Sequence, residues 1–174
     1  PPHPPLVIVW DVDNARPPRD APPVDVLAEI DRVLMLACGG DQGDNAPPPT
    51  TFHAFANDQT LAARPDLAAA LSALAINGST FETTPTSLRN SADALCSSAV
   101  VAATAAGARG LALVSGDAGL ATSLAHAGAA GVTTVAVGDF GTTDARQARH
   151  ALVRAAGGRA VPWRDVVPVS YTHL

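Results

Sequence analysis

Short apolar runs alternate along the chain with segments in which apolar residues recur at helical spacing. The first run, residues 6–10, is apolar at every position and ends in the carboxylate of Asp11, a pattern typical of a strand buried on both faces. Similar runs follow, and together the runs predict five strands, at residues 6–10, 50–56, 79–83, 111–114 and 132–137.

Residues 24–37 have apolar side chains at every third or fourth position, which predicts a helix that Gly39 and Gly40 end. The same reasoning predicts helices at residues 60–76, with an interruption at Pro65, and at 91–106, 118–129 and 144–156. Strands that alternate with helices at this spacing predict an α/β fold with three layers (α/β/α) and a mostly parallel five-stranded sheet of order 3-2-1-4-5.

We divide the 174 residues into a proline-rich lead-in (1–5), a single domain (6–166) and a tail (167–174). Hydrophobic residues make up 47% of the chain but aromatic residues only 4%, so the core must consist mostly of Ala, Val and Leu. No run is long enough to span a membrane. The two cysteines, Cys38 and Cys96, form no disulfide or zinc pattern and are expected to be buried thiols.

The net charge of −5 gives no general reason to expect nucleic-acid binding, although an acidic total can hide a local basic patch. All 11 basic residues other than histidine are arginines. Because the chain contains no lysine, Schiff-base catalysis and a P-loop are both excluded within it.

Two of the predicted strands end in carboxylates, one in Asp11-Val12-Asp13-Asn14 and the other in Ser115-Gly116-Asp117. In the order 3-2-1-4-5 these strands are neighbours, and ligands of such sheets bind at the carboxyl ends of the strands. Carboxylates brought together there repel one another unless a cation lies between them, and carboxylate and amide oxygens suit Mg²⁺ or Mn²⁺. Asp93, at the start of a predicted helix, is a further candidate ligand, although Asp93 and Asp117 could each be an ordinary helix N-cap.

Residues 7–14 resemble the opening strand of NYN domains, a branch of the PIN-like ribonucleases, in which an apolar strand leads to Asp and to Asn three residues later. The apolar run into Ser115-Gly116-Asp117 is similar to their second hallmark, and Asp93 to the Asp near the start of their preceding helix. The closing segments 131–139 and 162–166 resemble those of plant-type members.

This resemblance implies a PIN-like fold and an endoribonuclease that uses Mg²⁺ or Mn²⁺ to hydrolyse phosphodiester bonds of single-stranded RNA. Asp11, Asp93 and Asp117 would hold the metal, and Asn14 would orient the site or a substrate phosphate. Ser115 would hydrogen-bond a carboxylate or a phosphate.

Further residues complete this expected site. Asp13 and Asp139 are additional candidate ligands, Arg89 is a candidate phosphate contact near the crevice, and Asn57 is a candidate for the wall of the substrate groove. The sequence does not determine the oligomeric state, for which a homodimer is one option. It does not determine the compartment either, and an intracellular protein, organellar or cytoplasmic, is the expectation.

One departure from the pattern of NYN domains bears on whether the expected site is catalytic. NYN domains usually have a second Asp two residues after Ser-Gly-Asp, and this chain has Gly119 at that position. A PIN-like module that binds RNA with little or no catalysis is therefore an alternative. A phosphatase of the haloacid-dehalogenase type is another, with Asp11 as nucleophile and Asp13 as acid and base, although the second downstream Asp of that class is absent.

Overall fold

The computed structural model describes residues 4–40, 50–88 and 91–167. Its first strand, β1, is buried at every position, as an apolar run with neighbours on both sides and helices on both faces must be. Six strands form one sheet: β1 (Leu6–Asp11), β2 (Thr50–Asn57), β3 (Thr80–Thr84), β4 (Gly110–Val114), β5 (Thr133–Gly138) and β6 (Ala160–Pro162). Their order is β3-β2-β1-β4-β5-β6 and every pairing is parallel.

Parallel strands need crossover connections, and helices supply them here. The described helices are α1 (Pro23–Ala37), α2 (Asp58–Ala63), α3 (Pro65–Leu74), α4 (Ser91–Ala105), α5 (Ala121–Ala129), α6 (Asp144–Arg149), α7 (Ala151–Ala155) and α8 (Trp163–Val166). A 3₁₀ turn, Ala118–Leu120, precedes α5. None of the helices in these ranges is both long enough and apolar enough to cross a bilayer.

Alternate residues of β1 contribute to two separate hydrophobic cores, one on each face of the sheet. On one face, Ile8 and Trp10 belong to a core that includes residues of α1, α3 and α8. On the other, Val7 and Val9 belong to a core that includes residues of α4, α5 and α7. The molecule is therefore a three-layer α/β/α structure, which confirms the predicted fold class and strand order.

The structure adds a sixth strand to the five that were predicted. β6 is only three residues long and pairs with β5 through Ala136↔Ala160, Val137↔Val161 and Gly138↔Pro162. Proline has no backbone N–H, so Pro162 is compatible with a sheet edge, where one side of the strand needs no partner.

Two long helical segments are divided. The break between α2 and α3 falls at Arg64 and Pro65, as the sequence predicted. A second break was not predicted: His150 has extended backbone angles (φ −63°, ψ 136°) between α6 and α7, and its ring Nδ1 accepts a hydrogen bond from the Leu152 N–H.

The predicted lead-in and tail lie largely outside the described residues.

Candidate functional site

Asp11 is the most deeply buried charged residue of the site, with 0% of its surface exposed. It ends β1 beside β4. Trp10 is paired with Val114, so the residues that follow these two, Asp11 and Ser115, reach the same edge of the sheet. Asp11 Oδ2 accepts a hydrogen bond from Ser115 Oγ (2.9 Å) and one from Asn14 Nδ2 (2.5 Å). Asp11 Oδ1 is buried and has no hydrogen-bond partner.

A tight turn after β1 produces this arrangement. The backbone N–H groups of Asn14 and Ala15 both donate to the Asp11 carbonyl oxygen (3.2 and 3.1 Å), which returns the Asn14 side chain to the Asp11 carboxylate. Burial raises the pKa of Asp11, and the hydrogen bonds from Asn14 and Ser115 oppose that rise because they stabilise the charged form.

Asp93 and Asp117 form the second part of the site. Asp93 lies in the first turn of α4, and its carboxyl is close enough to that of Asp117 for Asp117 to raise its pKa. Burial raises the pKa of Asp93 to about 6, and the neighbouring carboxyls of Asp117, Asp11 and Asp13 contribute in the same direction. Three chain segments that are distant in sequence therefore bring carboxylates to one edge of the sheet.

Ser115 and Gly119 hold Asp117 in place. The Asp117 N–H donates to Ser115 Oγ (3.0 Å), so the one Ser115 hydroxyl connects Asp11 with the Asp117 backbone. The Gly119 N–H donates to Asp117 Oδ1 (2.8 Å), and through this bond the Asp117 side chain caps the 3₁₀ turn. The ordinary capping role and the predicted site role of Asp117 therefore occur in the same side chain.

Asp13 and Asn57 extend the site towards β2. The Asn57 N–H lies 3.1 Å from both carboxylate oxygens of Asp13, and Asn57 Oδ1 caps α2 by accepting from the Thr60 N–H at 2.7 Å. Asp11, Asp13, Asn14, Asn57 and Asp93 all line one open pocket of about 230 Å³. The structure thus brings most of the predicted site residues into or next to a single pocket.

Two predicted residues are not part of this group. Asp139 is exposed, accepts a hydrogen bond from the Gly141 N–H (3.3 Å), and lines a different pocket together with Trp163. Arg89 falls outside the described residues, so its predicted phosphate contact has no structural counterpart here.

The donor atoms suit a hard cation such as Mg²⁺ or Mn²⁺. Within the described ranges, no three Asp, Glu, His or Cys side chains already surround one point as metal ligands. However, the buried Asp11 Oδ1 has no partner, and the negative charges of Asp13 and Asp117 raise its pKa. A bound cation would relieve this repulsion between neighbouring carboxylates.

Thr84 is a residue that the sequence analysis missed. It ends β3, lines the same pocket, is 3% exposed, and has a buried hydroxyl oxygen without a hydrogen-bond partner. Residues 83–84 read only as two threonines at the end of a short strand, and the parallel pairing Asn57↔Thr84 is what places Thr84 at the site. No sequence signal of the kind used above would have identified it.

Comparison with known proteins gives a fold but no family. No protein-family model matches the chain, and no curated protein matches it. A crystal structure of a protein of unknown function from Vibrio parahaemolyticus is similar, with a TM-score of 0.59 and 13% sequence identity over 95% of this chain and 96% of that one. At this identity the similarity shows a shared fold alone.

Proposed function

We propose that this protein is a PIN-like endoribonuclease of the NYN type that uses Mg²⁺ or Mn²⁺ to hydrolyse single-stranded RNA. One observation carries the proposal: Asp11 is fully buried with Oδ1 unpartnered, close to the carboxyls of Asp93 and Asp117. A buried carboxylate oxygen without a partner costs free energy, so it is normally kept for a ligand, an ion or water.

In the proposed reaction Asp11, Asp93 and Asp117 would hold the metal ion. When bound, such an ion supplies a water of lowered pKa as the nucleophile and neutralises charge on the phosphodiester. Asn14 and Ser115 both donate to Asp11 Oδ2, so they fix the carboxylate with Oδ1 left free for ligation. Ser115 also positions Asp117 through its backbone N–H, which couples two of the proposed ligands through one hydroxyl.

The test is cleavage of an end-labelled, unstructured RNA in the presence of Mg²⁺ or Mn²⁺ and in EDTA. We expect cleavage only with metal, and a loss of at least about 100-fold in Asp11→Asn and Asp117→Asn, because a charged ligand is removed from the metal in each. Asp165→Asn is the matched control, since Asp165 is exposed and forms only a long ion pair (4.0 Å) with Arg164.

Hydrolysis of a simple phosphate monoester is measured in parallel with the same variants. Release of phosphate from the monoester without RNA cleavage would favour the phosphatase alternative and contradict our proposal. Metal-independent RNA cleavage that survives Asp11→Asn would contradict it as well.

A second candidate function, an RNA-binding module with little catalysis, is favoured by the geometry at Gly119. The Gly119 N–H engages Asp117 Oδ1, and a Cβ at this position would lie 3.1 Å from the same oxygen. The second carboxylate that is usual in NYN domains is absent at Gly119, and a side chain introduced there would crowd Asp117. If the wild type and the two Asp variants bind RNA equally well and none cleaves it, the protein is an RNA-binding module.

A further inference from the structure

Thr84 provides a second unpartnered polar group in the pocket of Asp11. The two residues belong to strands separated by β2: Asp11 pairs with Phe55, and two residues further along β2 Asn57 pairs with Thr84. Neighbouring strands are about 4.8 Å apart and residues along a strand about 3.3 Å apart, so the two Cα atoms lie roughly 12 Å from each other. That separation is larger than a single phosphate group, so the two residues would contact different parts of a bound nucleotide chain.

The Thr84 hydroxyl has no hydrogen-bond partner in the described part of the chain. Its oxygen is buried and belongs to a residue that lines the pocket. A threonine hydroxyl can donate one hydrogen bond and accept others, so it is suited to a partner that also does both.

The wall around Thr84 is held in place by contacts between the strand ends. The Asn57 N–H donates to the Asp13 carboxylate, which joins the ends of β1 and β2. The Asp58 carboxylate accepts from both the N–H (3.0 Å) and the hydroxyl of Thr86, which joins the start of α2 to the segment after β3. A wall fixed in this way loses little freedom when a ligand binds.

The charge of the pocket indicates the kind of ligand. Its described lining contains three carboxylates, from Asp11, Asp13 and Asp93, and neither arginine nor histidine. A second anion at the Thr84 end would be repelled, whereas a neutral hydroxyl would not. At about 230 Å³ the pocket is also smaller than the roughly 300–1,000 Å³ that usually enclose a whole small ligand, so it suits one unit of a polymer.

We propose that Thr84 hydrogen-bonds a ribose 2′-hydroxyl of the nucleotide next to the scissile phosphate and so makes the site selective for RNA over DNA. This inference rests on the proposed ribonuclease function. The 2′-hydroxyl both donates and accepts, and it is the group by which a protein distinguishes RNA from DNA.

The test compares the affinity of the full chain for a fluorescent single-stranded RNA and for the 2′-deoxy oligonucleotide of the same sequence, measured by anisotropy with Ca²⁺ in place of a catalytic metal. We expect the wild type to bind the RNA roughly 5- to 10-fold more tightly, the value of one hydrogen bond. Thr84→Val should remove this preference by weakening RNA binding alone, and Thr84→Ser should retain it. As a second measurement, single 2′-deoxy nucleotides are placed one at a time along the RNA. The position at which the substitution weakens binding as much as Thr84→Val does identifies the 2′-hydroxyl that Thr84 contacts.

Thr134→Val is the matched control, because Thr134 is also buried with an unpartnered hydroxyl but does not line this pocket. Thermal unfolding of the valine variants establishes that they fold. Thr84→Ser keeps the hydroxyl and removes only a methyl group, so it tests the hydroxyl with a smaller change in packing. Equal affinity of the wild type for RNA and DNA, or an unchanged preference in Thr84→Val, would overturn the role of Thr84 while leaving metal-dependent cleavage intact. If the wild type binds neither oligonucleotide and cleaves neither, both proposals fail.

Discussion

Replacing Asp93 by Asn should stabilise the metal-free protein, because it removes a charge that the fold disfavours. The pKa of Asp93 rises from an ordinary 3.8 to about 6, chiefly through burial and then through Asp117. At ~1.4 kcal/mol per tenfold change in proton affinity, this rise corresponds to ~3 kcal/mol at most. Asp93 is only partly buried and water screens its charge, so we expect about 1 kcal/mol.

The pH dependence follows from the direction of this change. Because the folded state binds the Asp93 proton more tightly than the unfolded state, Asp93 costs no stability below about pH 4. The cost grows as the pH rises and is complete above about pH 6, where the carboxyl is ionised in both states. The difference in unfolding free energy between Asp93→Asn and the wild type should therefore be near zero at about pH 4 and reach its maximum by about pH 7.

A bound metal ion should reverse the order of stability. The wild type gains RT ln(1 + [metal]/Kd), or ~2.7 kcal/mol at a metal concentration of 100 times Kd. Asp93→Asn loses a charged ligand and should gain much less. Asp165→Asn, an exposed carboxylate outside the site, should behave like the wild type in both conditions.

Urea unfolding across this pH range, in EDTA and in Mn²⁺, measures all of these differences. For a domain of this size 1 kcal/mol corresponds to roughly 2–4 °C in Tm, so thermal melts give an independent measure. Our account of the site is incorrect if Asp93→Asn is less stable than the wild type at about pH 7 in EDTA. It is incorrect also if Mn²⁺ stabilises both proteins equally.

Three further substitutions test the framework of the site, each by urea unfolding. Ser115→Ala should cost about 1–3 kcal/mol, since it removes a hydrogen bond from Asp11 and leaves the Asp117 N–H unpaired, and an unchanged midpoint would contradict the role of this hydroxyl. Gly138→Ala should cost at least about 1–3 kcal/mol because its Cβ would lie 2.4 Å from the Ser115 carbonyl oxygen. Gly128→Ala, inside α5 with no atom closer than 3.7 Å to the new Cβ, should instead stabilise by about 0.5–1 kcal/mol, and a loss in this variant would show that the spacing has been misjudged.

The sequence predicted the sheet well because each central strand is a continuous apolar run that can be recognised from its own residues. β1 and β4 are apolar at nearly every position and buried throughout, and this pattern survives any reasonable error in the ends of the strands. β6 could not be found in the same way, since Ala160–Pro162 is a strand only through its pairing with β5. The break at His150 was missed because neither Gly nor Pro marks it and the cap is an imidazole.

The contacts of the candidate site likewise fall into those that the sequence could predict and those that depend on strand register. Strand order predicted that the ends of β1 and β4, with Asp11 and Asp117, would meet, and the resemblance to NYN domains implied the hydrogen bond from Ser115 to a carboxylate. The contact between Asp13 and the Asn57 N–H depends on the register of β1 and β2, which no single-sequence pattern specifies. The position of Thr84 depends in addition on the register of β2 and β3, so the sequence could not predict it for the same reason.

Asp117 shows why a capping residue and a metal ligand are not exclusive alternatives. A carboxylate has two oxygens, and the Gly119 N–H needs only Oδ1 for the cap. The Asp117 carboxyl is also close enough to Asp93 to raise the pKa of Asp93. The cap therefore restricts the rotation of Asp117 at the sheet edge and leaves the second oxygen, Oδ2, for an ion. Gly119 adds no carboxylate beside Asp117, where NYN domains usually have one, so the affinity for metal, more than the position of Asp117, would decide between the proposed nuclease and the binding module.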